Sequence, residues 1–150
     1  MKRRTIILIL TGFLFFYSSI FLKDIASTYL NPFNETKKEH VDKFKLGCQN
    51  IMFEIFADLE TILSKVSIND KTELKDIDAK FKKLEKNYYN LKKTKNLKEI
   101  VLCFNSFCSI AETIEYAYNK KFTYLEINEK YQNYISIFYF ELEFVKSIPD

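Results

Sequence analysis

The sequence predicts an all-α chain: one N-terminal transmembrane helix followed by an up-down-up-down four-helix bundle. Three observations predict it. Thr5 to Leu22 is an eighteen-residue run without a charge, with Lys2, Arg3 and Arg4 before it and Lys23 and Asp24 after it. The whole chain holds two glycines and two prolines, too few turn formers for a hairpin-rich or sandwich fold. A polar cap followed three residues later by Glu occurs at Thr36…Glu39, Asp70…Glu73, Asn96…Glu99 and Thr123…Glu126. Each precedes apolar residues at helical spacing, the pattern of a capped amphipathic helix.

The apolar run sets the domain plan. At about 1.5 Å per residue, eighteen helical residues reach roughly 27 Å, close to the about 30 Å of a bilayer core. A cleavable signal peptide has a shorter apolar core and small residues at its cleavage site. Here the core is long, and Ile25-Ala26-Ser27 matches such a site poorly. Residues 1-22 therefore read as a retained signal-anchor and 36-148 as the four-helix bundle domain. Residues 23-35 read as a connector with a stop at Asn31-Pro32, because the residue before proline avoids the helical region. With three basic residues ahead of the span, the positive-inside rule puts the N-terminus in the cytoplasm. The C-terminal domain is then periplasmic, extracellular or luminal.

The first bundle helix is expected from about Lys37 to Val66. Val41, Phe44, Cys48, Ile51, Ile55, Leu59, Ile62 and Val66 recur at steps of three and four, and Met52, Phe56 and Leu63 widen the stripe. That width suits a globular bundle better than a two-stranded coil. Gly47 costs about 1 kcal/mol of helix propensity against Ala, and close approach of a neighbouring helix is the expected return. The second helix, from about Lys71 to Lys93, carries a narrow stripe of Leu74, Ile77, Phe81, Leu84, Tyr88 and Leu91 among dense charge, so it is expected to be the most exposed. The third, from about Leu97 to Lys120, begins with IVLCFNSFCSIA, apolar nearly all round, as a central helix is. The fourth, from about Tyr124 to Ile148, has Tyr124, Ile127, Tyr131, Tyr134, Ile135, Phe138, Leu142 and Val145 on its inner face. Short turns between successive helices imply antiparallel neighbours.

The residue inventory excludes much chemistry. His40 is the single histidine, expected to be exposed, so neither a catalytic triad nor a His-rich metal site can be assembled. No catalytic residue, metal or cofactor is expected. Glu112 and Glu115 lie one turn apart, as do Glu126, Glu129 and Lys130; without the Glu-x-x-His pairs of di-iron bundles they read as solvated charges. Cys103 and Cys108 are five apart, about 140° around a helix, and cannot readily bridge each other. They read first as small buried hydrophobes, with a disulfide between Cys48 and either Cys103 or Cys108 as the sharper expectation for an oxidising compartment.

Charge and aromatic content point to contacts. Net charge is only +3. From Asp70 to Lys98 there are ten lysines against five acids, a net of +5, with Lys80, Lys82, Lys83 and Lys86 concentrated as a basic patch. From Glu112 to Asp150 there are four lysines against seven acids, a net of −3. The patch holds no arginine and faces away from the cytoplasm on this topology, so no nucleic acid is expected; anionic lipid, an acidic partner or self-association fits better. Fifteen Phe and ten Tyr are too many for a core this small. Tyr139, Phe140 and Phe144 are the candidate partner contacts, since aromatic residues are enriched at interface cores. The expectation is a membrane-anchored helical interaction domain, an accessory or structural subunit or adaptor of an envelope or membrane complex. The alternatives are a small-ligand sensor bundle, with buried polar groups such as Asn105 and Ser106 in a cavity, and an immunity or lysis-control antagonist of a partner protein.

Overall fold

A computed structural model describes residues 35–150; the apolar run Thr5–Leu22, its expected orientation and most of the connector lie outside the described residues. Lys37–Asp150 is one compact unit. It is all-α, with four helices: α1 Lys37–Leu63, α2 Lys71–Lys93, α3 Leu97–Tyr118 and α4 Tyr124–Ser147. No strand occurs among the described residues.

Three helix ends fall short of the sequence expectation. α1 stops at Leu63 rather than Val66, because the chain tightens there: the Lys65 and Val66 amides donate to the Ile62 and Leu63 carbonyls, three residues back. Such bonds satisfy the last orphan carbonyls of a helix. α3 stops at Tyr118 with Asn119 as its C-cap, and α4 stops at Ser147.

Capping departs from the expectation in one respect. At the starts of α2, α3 and α4, a single reciprocal capping box forms, at Thr123, whose side chain and amide both engage Glu126. Asp70 accepts from the Thr72 amide, and Asn96 from the amides of Lys98 and Glu99. Their third-position glutamates are used elsewhere. Glu73 accepts from the Tyr118 hydroxyl at 2.8 Å, and Glu99 accepts from the Thr94 hydroxyl. A contact from another helix holds Glu73, and the adjoining turn holds Glu99, in place of the reach back to the cap.

The contacts fix direction as well as neighbours. α1 packs on α2, α3 and α4; α3 packs on the other three; α2 and α4 do not meet. Lys45 reaches the Thr94 carbonyl and Phe56 meets Phe81, so α1 and α2 run oppositely. Glu73 with Tyr118, and Asn87 with Ser106, set α2 against α3. Glu112 with Asn128, and Asn105 with Tyr139, set α3 against α4. Lys37 pairs with Asp150, which closes α4 against α1. α1 and α3 thus form the short diagonal of the bundle. α3 is long and apolar enough to cross a membrane by length and composition; here it is a helix that packs on all three others.

The core follows from this. Phe138 of α4 stacks on Phe104 of α3 at 4.3 Å and tilts against Phe44 of α1 at 5.0 Å. The same core holds Cys48, Met52, Ile55, Leu59, Ile100, Phe107, Ile114 and Leu142 along the length of the bundle, all buried. Each such side chain contributes about 1.5–3 kcal/mol by leaving water. α2 adds only Ile77, Leu84 and Leu91, one residue every two turns, as its narrow stripe requires. Leu74 and Tyr124, expected in the stripes, are exposed, because each sits in the first turns of its helix, where fewer neighbours remain.

Candidate interaction surface and the buried polar cluster

α4 lies at the rim of the bundle, covered by α1 and α3 but not by α2, so its outer side faces solvent. Phe140 is 73% exposed, the most exposed of the large apolar side chains described. Ile137 and Phe144, three residues before it and four after, are also exposed; helical spacing places all three on one stripe. Phe144 leans its ring edge on His40 of α1 at 5.6 Å. Of the three aromatic residues singled out from the sequence, Phe140 and Phe144 belong to this stripe. Tyr139 does not: it points about 100° away, rests its ring on Phe138, and accepts a hydrogen bond from the Asn105 side chain at 3.1 Å. Ile137, not singled out from the sequence, shares this stripe by its 137-140-144 spacing.

The basic residues of α2 do not form one face. Lys80 is half-buried and pairs with Asp76 at 2.8 Å, whereas Lys82, Lys83 and Lys86 are exposed. Lys82 and Lys86, one turn apart, share the outer side.

Two expectations about polar residues are corrected. His40 is buried, not exposed, and the Phe144 ring of α4 packs against it. Glu115 is not a solvated charge. It is 1% exposed and is the hub of a cluster joining three helices. The Tyr131 hydroxyl donates to Glu115 Oε2 at 2.9 Å, Lys130 Nζ to both carboxylate oxygens at 3.2 Å, and the Asn119 side chain to Oε1 at 3.0 Å. Lys130 also reaches Asp58 of α1 at 3.2 Å. A buried carboxylate is tolerable only when paired and hydrogen-bonded in this way. Burial works against the Lys130 charge, but Glu115 and Asp58 outweigh it and hold the ammonium above its ordinary pKa. Burial, then the Glu115 charge and hydrogen bond, push the Tyr131 phenol far up. With its lone pairs taken by the chain's own donors, the cluster is structural. Its neighbour Glu112 accepts from Asn128 at 2.9 Å.

The cysteines are free thiols here, so neither Cys48–Cys103 nor Cys48–Cys108 is joined. Cys48 and Cys108 sit in the core and Cys103 is half-buried. Burial raises all three; Cys108 is pushed up to about 12. A thiolate nucleophile at neutral pH is thereby disfavoured. The Gly47 expectation also changes: a Cβ there would find Glu141 Oε2 as its nearest neighbour outside its own helix, at 3.8 Å, an ordinary contact. No helix backbone approaches closely enough to demand glycine.

An open groove of about 420 Å³ lies where the end of α2 meets the start of α3, lined by Asn90, Lys93, Thr94, Glu99, Leu102 and Cys103. Asn105 and Ser106 do not line it. Ser106 accepts from Asn87, while Asn105 Oδ1 is buried without a hydrogen-bond donor. No group of metal-ligating side chains occurs among the described residues.

No protein-family model, no curated protein and no solved structure matches this chain.

Proposed function

We propose that this chain is a membrane-anchored interaction domain, held by residues 5-22 with its helical bundle on the outer side, and that it binds a protein partner through the outer stripe of α4. The carrying observation is the exposure of Ile137, Phe140 and Phe144 on one helix face, in a bundle whose core is already filled with aromatic side chains. Apolar anchors at i, i+3 and i+7 are what a helix offers to an apolar groove or to another helix. Conformational cost is low, because the stripe stands on a rigid helix packed against two others.

The test uses the full chain in its native membranes, with a photo-crosslinking amino acid at position 140 or 144 and, as comparison, at Lys82 on α2. Adducts confined to the α4 positions, in the fraction that resists carbonate extraction, are expected. Recovery of uncrosslinked monomer from both α4 positions, or equal crosslinking from position 82, refutes the reading. Release of the intact chain by carbonate refutes the anchor.

A further inference from the structure

A second exposed apolar patch lies at one end of the bundle, on the turn between α3 and α4. Leu125 is 64% exposed and Tyr124 60%, with Phe122 and Tyr116 also exposed, and the rings of Tyr116 and Tyr124 meet edge to face at 5.0 Å. Lys120 and Lys121 occupy the same turn. The turn is fastened rather than loose. Buried Asn119 donates to Glu115, in the cluster described above, and accepts from the Lys121 amide at 3.1 Å. The Thr123–Glu126 capping box then locks the start of α4. Four large apolar side chains are therefore held in solvent by a rigid turn.

We propose that this end of the bundle docks on an anionic lipid surface. Three features favour lipid over protein. The patch is at the tip of the rods, not in a groove, so it can enter a headgroup layer without desolvating helix sides. Phe, Tyr and Leu beside Lys is the composition of interfacial membrane contacts, whereas the cores of protein interfaces are depleted in Lys. The charge is also suited. The turn before α2 shares this end, as the Tyr118–Glu73 bond shows, and brings Lys65 and Lys71. Asp70 and Glu73 stay ionised while accepting their hydrogen bonds and offset Lys65 and Lys71, so the basic excess lies at the α3–α4 turn, where Lys120 and Lys121 face Glu126 alone. Lys120 touches only the Ala117 carbonyl. The lysines remain available to anionic headgroups. This end is opposite Lys37, the start of α1. The contact depends on neither the α4 stripe nor the anchor.

The chain has no tryptophan, so Phe122→Trp makes a single reporter at the tip and Phe140→Trp a matched reporter on the stripe. The full chain is placed in nanodiscs of unbrominated lipid and mixed with vesicles of brominated phosphatidylcholine containing one third phosphatidylglycerol. Quenching and a blue shift of the tip tryptophan, but not of the stripe tryptophan, are expected. Vesicles lacking phosphatidylglycerol, or a Lys120→Glu/Lys121→Glu pair, should weaken partition at least about tenfold, and molar salt should do the same. No quenching at position 122, or equal quenching at 140, overturns the proposal, as does capture of a protein partner at the tip with no quenching. Should the chain fail to enter nanodiscs, the anchor is refuted, and the same measurement on the chain in solution still decides the tip.

Discussion

Gly47 lies in the middle of α1, where glycine costs about 0.8–1 kcal/mol relative to alanine through lost backbone entropy. Space is available for the methyl: its nearest neighbour outside the helix is the Glu141 carboxylate at 3.8 Å, and Gly47 does not have a positive φ. One opposing effect can be named. Burial already raises the Glu141 pKa, so a methyl against it removes more water from the charged form. For a half-buried carboxylate we set this at a few tenths of a kcal/mol. Gly47→Ala should therefore stabilise the full chain by about 0.5–1 kcal/mol at neutral pH. That corresponds to a rise of roughly 2–6 °C in melting temperature for a domain of this size. The sign of the pH dependence is also set. A carboxyl whose folded pKa is raised favours the folded state below its unfolded pKa and loses that contribution as pH rises through the folded value. The alanine gain should thus be larger at pH 4, where Glu141 is protonated, than at pH 7. Urea melts of both chains followed by helical circular dichroism provide the assay. Destabilisation by Gly47→Ala at both pH values would show that α1 and α4 need the bare backbone, and the reasoning would fail.

Other outcomes follow from the buried cluster and the thiols. Glu115→Ala should destabilise by about 2–4 kcal/mol, since it strands the Tyr131 hydroxyl and the Asn119 amide and leaves Lys130 with Asp58 alone; a loss under 1 kcal/mol in the same urea assay would contradict the hub role. Both Lys130 and Tyr131 are raised in the folded state, so their contribution is intact below their unfolded values, near 10 to 10.5, and is lost as pH climbs beyond them. Melting temperature should accordingly fall above about pH 10, and Tyr131→Phe should flatten part of that fall. The three thiols should be titratable without reductant after unfolding, while Cys48 and Cys108 stay unreactive towards a thiol reagent in the folded chain and Cys103 reacts first; a count of one thiol in denaturant would reveal a disulfide instead.

Local sequence determined the helices. Spacing of apolar residues and the polar caps at Asp70, Asn96 and Thr123 placed the four elements to within three residues, since periodicity and caps act over one or two turns. The same spacing made α3 central and α2 peripheral, because the width of an apolar stripe measures how many neighbours a helix must have. Only the tertiary structure decided the fate of individual polar and aromatic side chains. Glu115 looks like Glu112, one turn before it, until Lys130 and Tyr131 arrive from α4, fifteen and sixteen residues away. His40 is buried, with the Phe144 ring of α4 against it, and a flexible carboxylate, not a helix backbone, lies opposite Gly47. Ile137 and Phe140 became a surface when α4 was left uncovered by α2. Burial is set by which elements meet, and that depends on contacts between residues far apart in the chain, to which local patterning is blind.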